Sequence, residues 1–265
     1  MLKLIIYIAV AAGAVFLYAK YLEANSVFFP LKGLQTSPAE VGLTFQDVYL
    51  TTEDNIKIHG WFIPFQGAEY TLLFCHGNAG NISTRLDKIL VLRQSKVNIF
   101  IIDYRGYGLS SGKPKELGIY LDIQAGYDYL INKRDLSLDQ IILYGESLGA
   151  AVIIDLASRE KVGGLIAEGA FSSGKDIGKV LYPYVPKFIL PNIFDSLGKI
   201  KNIKVPKLFL HSAGDEVIPI KLGKKLYQAA LEPKYFAEIS GGHNSIYFDS
   251  KGKYLLSIIA FLDKL

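Results

Sequence analysis

The sequence predicts an α/β fold in which a largely parallel sheet is covered by helices on both faces. Short, continuously apolar runs recur along the chain between turn residues, and stretches of helical length separate them. Strands that are apolar on both faces and joined by helices require a parallel sheet with two covered faces. Half of the 265 residues are hydrophobic and 20% are charged, which excludes a disordered or fibrous chain.

The first twenty residues differ from the rest of the chain. Residues 4–19 carry no charge, and Lys20 follows them. At about 1.5 Å per residue this run covers roughly 24 Å, and with its apolar flanks it comes close to the ~30 Å hydrocarbon core of a bilayer. We therefore expect residues 1–24 to form a single-pass membrane anchor, with a cleaved signal peptide or a buried helix as the alternatives. The positive charges on the two sides of this run, Lys3 and the amino terminus against Lys20 and Lys32, nearly balance under the positive-inside rule. We favour the orientation that places the following domain outside the cytoplasm.

Residues 25–265 contain no internal repeat or dividing linker, so we expect a single domain. Alternating polar and apolar residues predict a hairpin at 48–51 and 56–64. The apolar runs predict further strands at residues 71–75, 97–102, 140–144, 164–167 and 207–210. Helices are predicted at residues 83–92, 116–131, 148–158, 222–231 and 253–265.

The most specific motif is Gly-Glu-Ser-Leu-Gly at positions 145–149. It directly follows the strand predicted at 140–144 and opens the next helix. A serine between glycines on a strand-to-helix turn is typical of a nucleophile elbow, which lifts Ser147 above the sheet. The alternative is a glycine-rich turn that holds an ordinary serine.

A nucleophilic serine needs a general base, and the base needs an orienting carboxylate. Of the four histidines, only His243 lies on a glycine-rich loop after every predicted strand. Asp215 follows a buried strand and is the favoured carboxylate, with Glu216 as its main competitor and Asp195 as a more distant one. The order Ser147, Asp215, His243 matches one of the three known orders of serine hydrolases.

Acyl transfer also requires hydrogen-bond donors for the developing oxyanion. The N–H of Leu148, next to the serine, is one candidate. The second is the N–H of Asn78, because glycines flank it in His-Gly-Asn-Ala-Gly-Asn at 76–81 and let the backbone approach a substrate. The alternative is a plain turn in which Asn81 or Ser83 caps the next helix.

These motifs, together with Asp-Tyr-Arg-Gly-Tyr-Gly at 103–108, resemble the α/β-hydrolase superfamily. The most similar branch is the membrane-anchored α/β-hydrolase-domain proteins, grouped with serine aminopeptidase-like esterases and thioesterases. The resemblance covers about residues 25–265 and implies an eight-stranded sheet, a short lid at 171–206 and hydrolysis through an acyl-enzyme. We interpret the 103–108 segment as a structural turn anchored by Arg105, with a substrate-facing Tyr107 as the alternative.

The expected function is that of a membrane-tethered serine hydrolase acting on a carboxylic ester or thioester. The expected substrate is a small-molecule or lipid-like acyl compound, and the chemistry needs no metal or organic cofactor. A net charge of +4 argues against a nucleic-acid partner. An amide or peptide hydrolase with the same triad, and a non-catalytic membrane-tethered binding protein, stay open as alternatives.

Overall fold

The computed structural model describes residues 27–265 and, before them, residues 3, 6, 7, 10, 13–15, 17 and 18. Most of the anchor predicted at residues 1–24 therefore lies outside the described residues. Among the residues that are described, no helix is long and apolar enough to cross a membrane.

The strands of the described chain form one large sheet and one small sheet. In chain order they are β1 (Phe29–Pro30), β2 (Gln46–Thr51), β3 (Lys57–Ile63), β4 (Thr71–Cys75), β5 (Ala79–Gly80), β6 (Asn98–Ile102), β7 (Ile141–Glu146), β8 (Gly164–Glu168), β9 (Lys207–Ser212) and β10 (Lys234–Ile239). Over residues 27–265 the large sheet has eight strands in the order β10-β9-β8-β7-β4-β6-β3-β2. Strand β3 runs antiparallel to both of its neighbours, and the other pairings are parallel. This mostly parallel sheet confirms the expected architecture.

Helices cover both faces of the large sheet, also as expected. They are α1 (Leu86–Leu92), α2 (Glu116–Asn132), α3 (Leu148–Ala157), α4 (Gly174–Leu181), α5 (Ser196–Ile200), α6 (Ile220–Ala229), α7 (Ile246–Asp249) and α8 (Lys251–Leu262). Along β4, Leu73 belongs to a core shared with α2 and α3, while Leu72 and Phe74 belong to a second core shared with α1 and α8. Alternate side chains of one strand thus face opposite helical layers.

The short strands β1 and β5 and the helices α4, α5 and α7 were not predicted, and two further details differ from the expected elements. Strand β10 was not predicted, because it lies at the sheet edge, is only partly buried, and contains Lys234 and Glu238. The helix predicted from residue 83 begins as a 3₁₀ turn at Ile82–Arg85, and its first turn is capped by Asn81, whose side chain accepts the N–H of Ser83 at 2.9 Å.

Candidate active site

Ser147 occupies a sharp turn between β7 and α3. Its backbone has φ 54° and ψ −115°, which is strained for any residue with a side chain. A Cβ at Gly149 would overlap the carbonyl oxygen of Cys75, and a Cβ at Gly145 would overlap the backbone of Gly149. Both glycines of the motif are therefore required sterically, as the nucleophile elbow predicts.

Ser147, His243 and Asp215 form one hydrogen-bonded chain. The Nε2 of His243 lies 3.1 Å from the Oγ of Ser147, and its Nδ1 lies 2.7 Å from the Oδ2 of Asp215. The other carboxylate oxygen of Asp215 accepts the backbone N–H groups of Val217 at 3.0 Å and Ile218 at 2.6 Å. This arrangement fixes the carboxylate and aligns the imidazole between it and the serine.

The surroundings of Asp215 favour its charged form. Burial by itself would raise the pKa of this carboxyl group, but the hydrogen bond from His243 and the favourable electrostatic interaction with that residue outweigh the effect of burial. The N–H of Ile218 acts in the same direction, so the pKa of Asp215 lies below its ordinary value. The carboxylate is therefore ionised at neutral pH and can stabilise a protonated imidazole.

The competing carboxylates bind backbone groups instead of the imidazole. Glu216 accepts the backbone N–H of His243 at 3.0 Å and so holds the histidine loop. Asp195 caps α5 by accepting the N–H of Gly198 at 3.0 Å. The geometry favours Asp215 over both.

The remaining histidines make local contacts. The Nε2 of His211 donates to the carbonyl of Ile218 at 2.8 Å, and burial lowers its pKa. The Nδ1 of His76 lies 2.7 Å from the carbonyl oxygen of Gly77, and His59 lies 2.7 Å from Asp47. None of these rings contacts Ser147.

Two residues beside Ser147 carry backbone N–H groups that could bind a substrate oxygen. Among the residues that the structure describes, the N–H groups of Leu148 and Asn78 have no hydrogen-bond acceptor, and both residues line the cavity. The carbonyl oxygen of Asn78 accepts two hydrogen bonds, from the N–H of Phe29 at 3.0 Å and from the hydroxyl of Tyr107 at 2.7 Å. These bonds fix the orientation of the Asn78 backbone. The geometry thus suits both groups to bind an oxyanion.

The 103–108 segment supports this loop. Tyr107 is fully buried, so its hydroxyl positions Asn78 and does not face a substrate. Arg105 anchors the segment through ion pairs with Asp54 at 2.6 Å and Asp122 at 2.9 Å. Burial raises the pKa of Asp122 to about 6, against the lowering effect of Arg105.

A buried charge cluster beneath Ser147 was not predicted from the sequence. We call it the elbow cluster; it consists of Arg85, Lys88, Glu146 and Glu168. The ammonium group of Lys88 contacts Glu146 and lies 2.7 Å from Glu168. Arg85 contacts the other oxygen of Glu146. The cluster contains two cationic and two anionic residues. The sequence features that could have indicated it are the one lysine in the largely apolar helix α1 and the glutamates that end the apolar strands β7 and β8.

The elbow cluster also holds the loop that carries Asn78. The Oε1 of Glu146 accepts the N–H of Gly77 at 3.0 Å, on one side of Asn78. The guanidinium of Arg85 donates to the carbonyl of Ala79 at 2.9 Å, on the other side. The turn that carries Ser147 and the loop that carries Asn78 are therefore joined by side chains of the same cluster.

Ser147 and His243 lie at the polar end of a cavity of about 260 Å³. Much of its apolar wall comes from the insertion at 171–206, whose structure includes α4 and α5. The apolar side chains along the wall include Val27, Leu148, Phe171, Ile177, Leu181, Leu190, Ile193, Phe194, Val217, Ile218 and Ile246. Such a surface suits an apolar group attached to the reacting carbonyl.

Comparisons with known proteins agree with this fold. A family profile described as alpha/beta hydrolase fold matches residues 70–189. The α/β hydrolase domain-containing protein WAV2 of Arabidopsis thaliana is 34% identical, and the alignment covers 96% of this chain and 91% of that protein. An uncharacterised protein of Mycobacterium tuberculosis, Rv2307c, is 31% identical over 92% of this chain and 88% of its own length. A solved structure of the Pyrococcus furiosus esterase Pf2001 shares the fold, with a TM-score of 0.74 and 22% identity. The match covers 89% of this chain and 98% of the esterase chain. The chain belongs to the α/β-hydrolase family.

Proposed function

We propose that the protein is a serine hydrolase that cleaves a carboxylic ester or thioester through an acyl-enzyme. The observation that carries this proposal is the hydrogen-bonded chain of Ser147, His243 and Asp215 at the polar end of an apolar cavity. A serine bonded to an imidazole that is itself oriented by a carboxylate is the arrangement that activates a hydroxyl nucleophile.

Each residue has a role in the proposed reaction. The Oγ of Ser147 attacks the acyl carbonyl while the Nε2 of His243 takes its proton, and Asp215 stabilises the imidazolium that results. The N–H groups of Leu148 and Asn78 stabilise the negative oxygen of the tetrahedral intermediate. His243 then protonates the leaving alcohol or thiol, and water, activated by the same histidine, releases the carboxylic acid and regenerates Ser147.

The cavity wall supports an apolar, lipid-like or small-molecule acyl group. The charged residues that reach the cavity from the elbow cluster, Arg85, Glu146 and Glu168, pair with one another or with Lys88. They therefore offer no unbalanced charge to a substrate. Ester and thioester leaving groups both fit the chemistry, and amide or peptide hydrolysis is the competing activity.

Fluorophosphonate labelling tests the nucleophile. We expect labelling of the wild type and of Ser158→Ala, a control at the far end of α3, and no labelling of Ser147→Ala. Labelling of Ser147→Ala would overturn the mechanism, whereas a folded wild type that resists the probe would favour a binding protein. A comparison of kcat/KM for ester, thioester and peptide substrates in competition then identifies the bond that is cleaved.

We further propose that residues 4–19 tether the protein to a membrane as a single-pass anchor, with the catalytic domain outside the cytoplasm. The support is the uncharged length of this run. Retention in the membrane fraction after alkaline carbonate extraction is the expected result, and release of the intact chain would contradict it. Digestion of the domain by protease added to intact cells tests its orientation.

A further inference from the structure

Large apolar side chains are exposed on segments that also line the cavity. Phe29 lies two residues beyond Val27, and Phe248 lies two residues beyond Ile246; both Val27 and Ile246 line the cavity. The segment between the cavity-lining residues Tyr182 and Leu190 exposes two further aromatic rings. We call these four exposed side chains the apolar rim: Phe29, Tyr184, Phe188 and Phe248.

The rim is unusual for a surface that faces water. Tyr184 is 98% exposed and Phe188 is 78% exposed. The run 181–190 that carries them contains one charged residue, Lys187. Scattered single apolar residues are normal on a protein surface, but several large ones on segments that line one apolar cavity mark an interaction site.

The chain reaches the domain at this same place. Val27 lines the cavity, and β1 pairs in parallel with β5 in the loop that follows Asn78. Residues 4–19 are uncharged, and Val27 follows position 19 by only eight positions. Eight residues span at most about 28 Å. Any surface that holds residues 4–19 therefore lies close to the mouth of the cavity.

The charge beside the rim suits an anionic surface. Lys175 and Lys179 precede Tyr184, and Lys187 lies between Tyr184 and Phe188, with Asp176 as the one acid between positions 175 and 188. Asp176 is already neutralised, since it pairs with Lys187 at 2.9 Å and with Lys225 at 2.7 Å. Lysines beside apolar side chains are typical of segments that bind anionic lipid.

We propose that this face of the domain docks on a lipid bilayer, with the apolar rim inserted among the lipids. The mouth of the cavity then opens toward the bilayer, and a lipid-like acyl compound passes from the membrane to Ser147 without crossing water. The docking rests on the exposed rim and the chain path; only the passage of substrate rests on the proposed hydrolase function.

Site-specific labelling of the full-length protein in vesicles of phosphatidylcholine and phosphatidylglycerol tests the docking. Phe188→Cys carries an environment-sensitive nitrobenzoxadiazole label. Leu231→Cys is the matched control, because Leu231 is exposed just before β10 begins. It therefore lies at the end of the sheet where the parallel strands start, whereas Ser147 follows the end where β7 finishes. The native Cys75 is fully buried and stays unlabelled. We expect brominated lipid to quench the label at 188 and aqueous iodide to quench the label at 231. Iodide quenching at both positions, or failure of the protein to float with vesicles, would overturn the proposal.

A kinetic comparison separates docking from catalysis. The double variant Tyr184→Ser with Phe188→Ser should lose about tenfold or more in kcat/KM on an ester embedded in vesicles. It should keep wild-type activity on a short, water-soluble ester, because neither residue lines the cavity. Equal losses on both esters would contradict docking. A wild type that cleaves neither ester would overturn the hydrolase proposal, while the labelling result would still decide the docking.

Discussion

Replacing Lys88 by methionine tests whether the elbow cluster stabilises the fold. The Lys88 side chain is 5% exposed, and its ammonium group lies between the carboxylates of Glu146 and Glu168. Methionine retains an unbranched chain but removes the charge. Both glutamates then lose a cation although their side chains are almost entirely buried.

The remaining contacts set the size of the effect. Removing one partner of a buried ion pair costs about 3–5 kcal/mol, because the other charge is left uncompensated. Glu146 keeps Arg85, and Glu168 keeps the hydroxyl of Tyr254 at 2.8 Å and that of Tyr144. We therefore expect the lower end of that range, about 3 kcal/mol.

Urea unfolding of the full-length protein in a mild detergent at pH 7 measures this loss. Lys224→Met is the matched control, because Lys224 pairs with Glu238 at 2.9 Å while both side chains are about half exposed. An exposed pair of this kind contributes about 1 kcal/mol or less. A loss for Lys88→Met no greater than that for Lys224→Met would refute the reasoning.

The difference between wild type and Lys88→Met should depend on pH. Burial by itself would raise the pKa of Glu146, but Arg85 and Lys88 hold it well below its usual range. Because the folded pKa lies below the unfolded value of about 4.3, this contribution is present above that pH and is lost as the pH falls toward the folded pKa. In the variant, Glu146 has lost Lys88 and accepts a proton more easily in the folded state. The gap in unfolding free energy should therefore narrow as the pH falls below about 4, and a gap as large at about pH 3 as at pH 7 would contradict this explanation.

Three further predictions follow from the site. Asp215→Asn should lower kcat about 10³–10⁴-fold on a water-soluble ester, whereas Glu216→Gln should have a much smaller effect, since Glu216 contacts only the backbone of the histidine loop; equal losses would reverse the assignment. Tyr107→Phe removes the hydroxyl that holds the carbonyl of Asn78 and should lower kcat about tenfold with little change in KM; a change confined to KM would contradict a role in oxyanion binding. Gly149→Ala should destabilise the protein by about 1–3 kcal/mol in urea unfolding, because its Cβ would overlap the carbonyl oxygen of Cys75; wild-type stability would show that the turn can relax.

The sequence predicted the central sheet well because its strands are apolar on both faces. Strand β4 at Thr71–Cys75 has the predicted bounds, since every one of its residues is buried. Strand β10 was not predicted, for the opposite reason. Within residues 27–265 it pairs with β9 alone and is partly exposed. Its charged residues interrupt the apolar pattern that identified the other strands.

Ser147, Asp215 and His243 could be singled out from the sequence because each follows a recognisable strand or loop signal, and the structure joins them by hydrogen bonds. The elbow cluster could not, because it depends on which side chains meet across the sheet. Lys88 lies 58 positions before Glu146 and 80 before Glu168 in the chain. A lysine in an apolar helix indicates that a buried partner exists, but only the strand order identifies that partner.

The contacts around Asn78 indicate that its loop is held in place before a substrate arrives. Glu146 and Arg85 bind the residues on either side of it, and Tyr107 and Phe29 bind its carbonyl. Donors that are already positioned need no reorganisation when charge develops on the substrate oxygen. Since Glu146 directly precedes Ser147, the same short segment presents Ser147 and positions the loop that carries Asn78. A disturbance of the elbow cluster should therefore lower kcat as well as stability, even though Lys88 itself does not line the cavity.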